Sequence, residues 1–120
     1  MGMKLIVDSP SAQFSVGNAR ASHMVLDLCA MWFELNDADV MVTKRIPNAT
    51  LRAAEQQSPR EESLLLAWFE EHRPIYIQEL ESVHPMYQDS ARQRLIADMV
   101  TAREFIAVVS STSFDVILSD

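Results

Sequence analysis

A chain of 120 residues, 48% of them hydrophobic, is sized for one domain with a core of its own. Two glycines and one cysteine exclude collagen-like, disordered and disulfide-scaffold classes. Seventeen acidic against ten basic side chains leave a net charge of −7. That balance argues against gripping nucleic acid or an anionic membrane, both of which need clustered Lys and Arg.

The lone Cys29 has no internal disulfide partner, which suits a reducing cytoplasm. Met1 to Asp8 holds one lysine and too short an apolar run for a signal-peptide core. Position six is Ile, so a myristoylation pattern fails. No stretch reads as a membrane span.

In chain order, Lys4 to Val7 predicts a brief strand closed by Asp8-Ser9-Pro10, and Ser11 to Gly17 a loop. Ser15 or Asn18 is the expected cap of a helix running to about Asn36. In it Met24, Leu28, Met31 and Leu35 form one stripe; Val25, Cys29 and Trp32 form a second, with Phe33 beside them. Only Asp27 and Glu34 interrupt Val25 to Leu35, so this helix must be covered on most sides, either inside the monomer or in a dimer. Asn36 to Asp39 ends it, Val40 to Ile46 reads as a strand stopped by Pro47, and Asn48 to Gln57 as a short helix.

Ser58-Pro59-Arg60-Glu61 has the form of a capping box, with Ser at the N-cap, Pro at N1 and Glu at N3. The helix that follows directs Leu64, Leu65, Trp68 and Phe69 inward until Pro74 stops it. Ile75 to Val83 continues as a helix with Tyr76, Leu80 and Val83 on one side. After Pro85, Asp89 or Ser90 caps a long helix to about Val109, striped by Leu95, Met99, Ala102, Ile106 and Val109, with Arg94 and Asp98 paired outside. Phe114 to Leu118 alternates as a final strand, to pair with Leu5 to Val7 or with a partner chain. The expected fold is therefore mainly α, one domain of four or five helices with short terminal strands.

Residues 1–60 balance six basic against six acidic side chains, while residues 61–120 hold four against eleven. The whole acidic excess lies in the second half. Solvated helix faces are the ordinary explanation; a surface that selects a basic partner is the functional one.

Catalytic patterns are weak. Glu81-Ser-Val-His84 has Glu-x-x-His spacing, but a di-iron bundle needs two such pairs and further carboxylates. His23 with Asp27 is one more isolated pair, and His72 follows Glu70-Glu71 without an H-E-x-x-H pattern. Asn36, Asp37 and Asp39 lack the Gly and Glu of a calcium loop in register. Cys29 lies in the most apolar helix, where a thiol is an inert hydrophobe. With Gly2 and Gly17 alone, no phosphate-cradling loop or nucleophile elbow is available. No catalytic, cofactor or metal residue is assigned.

Met24, Met31, Trp32, Phe33, Met41, Trp68 and Phe69 give a better lead, because Met adapts to irregular partners and Trp is enriched at interface hot spots. Trp32 and Phe33 cannot both point the same way, so one is expected at an interface. The candidate partner-binding set is Met31, Trp32, Phe33, Leu35, Met41, Trp68 and Phe69.

A short, acidic, mostly helical chain with an apolar helix from Met24 to Leu35 resembles, in general build, the bacterial antiactivators that bind and silence LuxR-type quorum-sensing regulators. The resemblance implies masking of a regulator's surface, often by a homodimer, and assigns no numbered residue. The expected function is a non-enzymatic cytoplasmic regulator that binds and inhibits another protein, with a transcription factor as the implied partner. The alternatives are a small helical metal- or ligand-binding enzyme using Glu81, His84 and His72, and a secretion chaperone or immunity protein.

Overall fold

The computed structural model describes residues 4–10, 15–33 and 42–119, with the side chains of residues 30–33 outside that description. Five helices and a small antiparallel sheet make the chain mainly α among these residues. The strands are β1 (Lys4–Val7), β2 (Ser15–Val16), β3 (Arg45–Ile46) and β4 (Val116–Ser119). The helices are α1 (Ala19–Phe33), α2 (Asn48–Gln57), α3 (Glu62–His72), α4 (Ile75–Glu81) and α5 (Gln88–Ser110).

The sheet runs β2-β1-β4-β3, antiparallel throughout. Leu5 faces Val16 on one side and Leu118 on the other, and Val116 faces both Val7 and Ile46. All six are buried, so one face of the sheet closes on the helices. The last strand thus pairs with the first within the chain, and β3 completes the edge.

α5 is the centre of the helical layer and packs against α1, α2, α3 and α4. Its predicted stripe of Leu95, Met99, Ala102, Ile106 and Val109 is buried throughout, joined by Phe105. From α1, Met24, Val25, Leu28 and Cys29 enter the same core. The apolar surplus read from this helix is therefore met inside the chain as far as Cys29, which removes residues 19–29 as grounds for a dimer. Asn18 caps α1, its Oδ1 accepting from the amides of Arg20 and Ala21 at 2.9 and 3.3 Å.

Four local expectations are corrected. Ser58 does not start α3: its amide and hydroxyl both donate to the Ala54 carbonyl, closing α2, and Glu61 stands at the α3 N-cap with no side-chain bond. Leu64 is 55% exposed, leaving Leu65, Trp68 and Phe69 to face inward. Arg94 does not hold Asp98, which is taken by Arg20 at 2.6 Å and by the Asn18 amide group at 2.8 Å. Of the strand read over Val40 to Ile46, Val40 and Met41 lie outside the described residues and the rest is reduced to β3, because residues 42–43 are helical and Lys44 turns the chain with φ of 58°.

Polar side chains tie the layers together. The Asn48 amide group donates to the Val109 and Phe114 carbonyls at 3.2 and 2.7 Å, fixing the start of α2 to the end of α5. Arg103, buried on α5, donates to the carbonyls of Glu55, Ser58 and Pro59 at 2.6, 3.3 and 3.1 Å. It thereby holds the α2–α3 connection, whose backbone acceptors would otherwise be buried unpaired.

Candidate docking surface between α4 and α5

Pro74 cannot extend α3, so the chain turns and starts α4 beside it. Tyr76 points inward: its ring meets Phe69 edge-on with centroids 5.7 Å apart, and its hydroxyl donates to Asp27 Oδ2 at 2.5 Å. Arg73 Nε donates to the other oxygen of Asp27 at 3.2 Å. Burial, and then the bond to Asp27, push the Tyr76 phenol well above its ordinary range. This contact pins one face of α4 to α1, and Ile77 and Leu80 lie half-buried against the core.

Past Leu80, which shares the Tyr76 side of α4, the chain opens onto the turn into α5. Ser82 ends α4, with its hydroxyl on the Glu79 carbonyl at 2.8 Å. His84 Nδ1 accepts the Met86 amide at 3.2 Å, and Pro85–Tyr87 form a 3-10 turn whose last amide returns to the His84 carbonyl at 2.8 Å. Gln88 Nε2 reaches the Val83 carbonyl at 3.1 Å. These bonds set the corner in one conformation, yet Met86 and Tyr87 remain 74% and 57% exposed. Between α4 and the start of α5 lies a cleft of about 330 Å³ lined by Ile77, Leu80, Glu81, Gln88, Asp89 and Arg92. A second cleft of about 320 Å³ begins across Leu80 and includes Glu79, Val83 and Arg94.

Charge surrounds this apolar ground. Residues 70–94 carry five carboxylates against three arginines; of these Arg73 is paired with Asp27, while Arg92 and Arg94 line the two clefts. Glu79, Glu81 and Asp89 make no ion pair among the described residues. A third cleft of about 350 Å³ between α2 and the end of α5 differs, because its polar groups are engaged. There Arg52 donates to the Ser110 and Thr112 carbonyls, and Arg60 pairs with Glu55.

Of the partner-binding residues named from sequence, Trp68 and Phe69 are core: they are 7% and 0% exposed and stack edge-on with centroids 5.0 Å apart. Their apolar bulk serves folding in the described chain. The side chains of Met31, Trp32 and Phe33, and all of Leu35 and Met41, lie outside the described residues. Sequence reading missed Met86 and Tyr87, since a turn has no periodicity to mark it. The available signal was two large apolar side chains after Pro85, in the acidic half of the chain.

The histidines are dispersed. His72 stacks on Trp68 and bonds to the Trp68 carbonyl at 3.0 Å, His23 is exposed, and His84 serves the corner turn. Among the described residues, no three His, Cys, Asp or Glu side chains converge as metal ligands, and no helix is long and apolar enough to cross a membrane. Burial pushes the Cys29 thiol up to about 12, which keeps it protonated at neutral pH. Compared with protein-family models, curated proteins and solved structures, the chain matches none of them.

Proposed function

We propose that this protein is a non-enzymatic regulator that binds another protein and blocks its action, using the corner between α4 and α5. The observation that carries the reading is the corner itself: Met86 and Tyr87 stand exposed on a hydrogen-bonded turn that runs into Gln88, a residue lining the cleft between α4 and α5. A hydrogen-bonded turn loses little backbone entropy on binding, and Tyr is enriched at interface hot spots. A cytoplasmic setting and a partner that regulates transcription belong to the same proposal, the latter because of the chain's build-level resemblance to quorum-sensing antiactivators. A homodimer also belongs to it, with Trp32 and Phe33 as the residues to carry the interface now that Met24, Val25, Leu26, Leu28 and Cys29 are covered internally.

Affinity capture from the native host, comparing the wild type with a Met86→Ser/Tyr87→Ser variant, tests the reading. A stoichiometric partner held by the wild type and lost by the folded variant is the expected result. Absence of any stoichiometric partner across growth conditions counts against a binding regulator.

A further inference from the structure

We infer that Met86 is a reversible oxidation site and that its sulfoxide switches off the α4–α5 corner. The modification stands on the exposure of this side chain. The switching rests on the protein-binding reading above and adds its regulation.

The methionines whose side chains are described divide into two kinds. Met24 and Met99 are 0% and 1% exposed in the core, whereas Met86 is 74% exposed. Dissolved hydrogen peroxide therefore meets the Met86 sulfur directly. It reaches the other two only when the fold opens, a state that a marginally stable domain populates about a thousandth of the time or less. In the reaction the Sδ lone pair attacks one peroxide oxygen, the O–O bond breaks, and water leaves. Sulfur loses two electrons and the peroxide gains them. A reductase with two thiols reverses the step, closing a disulfide and releasing the oxygen as water.

The turn does not depend on the group that changes. Its bonds run from the Met86 amide to His84 Nδ1, from the Tyr87 amide to the His84 carbonyl, and from Gln88 Nε2 to the Val83 carbonyl. None uses the thioether, and Met86 does not belong to the core cluster. Oxidation thus leaves the backbone of the corner in place and alters its surface alone. There an apolar, polarisable side chain becomes polar and chiral, next to Tyr87, itself 57% exposed. A partner that packs on the thioether must then desolvate a polar oxygen, which weakens its binding.

The test treats the full chain with hydrogen peroxide and follows each methionine by peptide mapping in a mass spectrometer. Met86 is expected to gain one oxygen at least about a hundredfold faster than Met24 and Met99. Circular dichroism of the oxidised chain is expected to match that of the untreated one. The two methionine sulfoxide reductases together are expected to restore Met86. Similar rates at the three positions, loss of the helical signal, or a sulfoxide that the reductases leave in place overturns the site.

The switch is read, after the peroxide is removed, by affinity capture from the native host. Oxidised wild type is compared with oxidised Met86→Leu, which keeps the apolar bulk and has no sulfur. The oxidised wild type is expected to hold at least about tenfold less of the stoichiometric partner, and oxidised Met86→Leu as much as before treatment. Met86→Gln, polar without any peroxide, is expected to lose the partner untreated. Retention by the oxidised wild type, or equal loss by oxidised Met86→Leu, overturns the switch. A partner lost by Met86→Ser/Tyr87→Ser yet kept after oxidation leaves the regulator and removes the switch. With no partner captured at all, the regulator reading falls and the switch with it, while the peptide map still decides the oxidation site.

Discussion

Tyr76 donates its hydroxyl hydrogen to Asp27 across the gap between α4 and α1, at 2.5 Å. The bond joins residues 49 positions apart and sets which face of a seven-residue helix turns outward. The corner depends on that orientation, since Leu80, four residues on and on the same side of the helix, lines the cleft from it.

Tyr76→Phe keeps the ring against Phe69 and removes the bond. The expected loss is about 1.5–3 kcal/mol in urea unfolding, as for a hydrogen bond to a charged acceptor. The same phenol gives a pH dependence. Burial foremost holds the Tyr76 pKa above its ordinary 10.0 and raises the Cys29 thiol from 9.0 to about 12. Both groups keep their protons longer in the folded chain than in the unfolded one. Their contribution is therefore complete below the unfolded values and is lost as pH rises toward the folded ones. The urea midpoint is expected to fall above about pH 9, less steeply in Tyr76→Phe; a midpoint flat to pH 12 contradicts the burial of both groups.

Arg103→Met is expected to destabilise the chain by about 2 kcal/mol or more, because the Glu55, Ser58 and Pro59 carbonyls lose their donor. The cost is moderated by Nη1, a buried donor with no acceptor among the described residues, which the substitution also removes. Thermal and urea unfolding of the variant measure it, and a change below about 0.5 kcal/mol contradicts a structural role for this arginine.

These contacts show where sequence reading reached and where it stopped. The stripe of α5 was legible because burial of Leu95, Met99, Ala102, Ile106 and Val109 follows helical period. Arg103 on the same helix was not, since a buried arginine needs carbonyls from the α2–α3 connection, which only tertiary structure brings near. Asp98 likewise looked local to Arg94 but is taken by Arg20, 78 residues away. Ser58 carried a start signal and serves as a stop, because the Ala54 carbonyl claims its amide first. For the docking surface, the acidic second half was readable, whereas Met86 and Tyr87 became a site only once the turn held them outward.

Core and corner are distinguished by substitution. Phe69→Ala removes a fully buried ring and is expected to cost about 3–5 kcal/mol. Met86→Ser and Tyr87→Ser, at exposed positions, are each expected to stay within about 0.5 kcal/mol. Urea unfolding checks both, and a large loss at Met86 or Tyr87 would make these residues structural rather than free for a partner.

Light scattering on the isolated chain tests self-association. A dimer that becomes monomeric on Trp32→Ala is expected if that side chain forms the interface, at a cost above about 1 kcal/mol for a hot spot. A wild-type monomer at high concentration removes the homodimer from the proposal.

The central claim is that the α4–α5 corner is where a partner binds, and hydrogen–deuterium exchange on the purified complex with the host partner tests it most directly. Protection concentrated in residues 75–92, with α2 exchanging as in the free chain, is the expected result. Protection that spares residues 75–92 and falls elsewhere would contradict it.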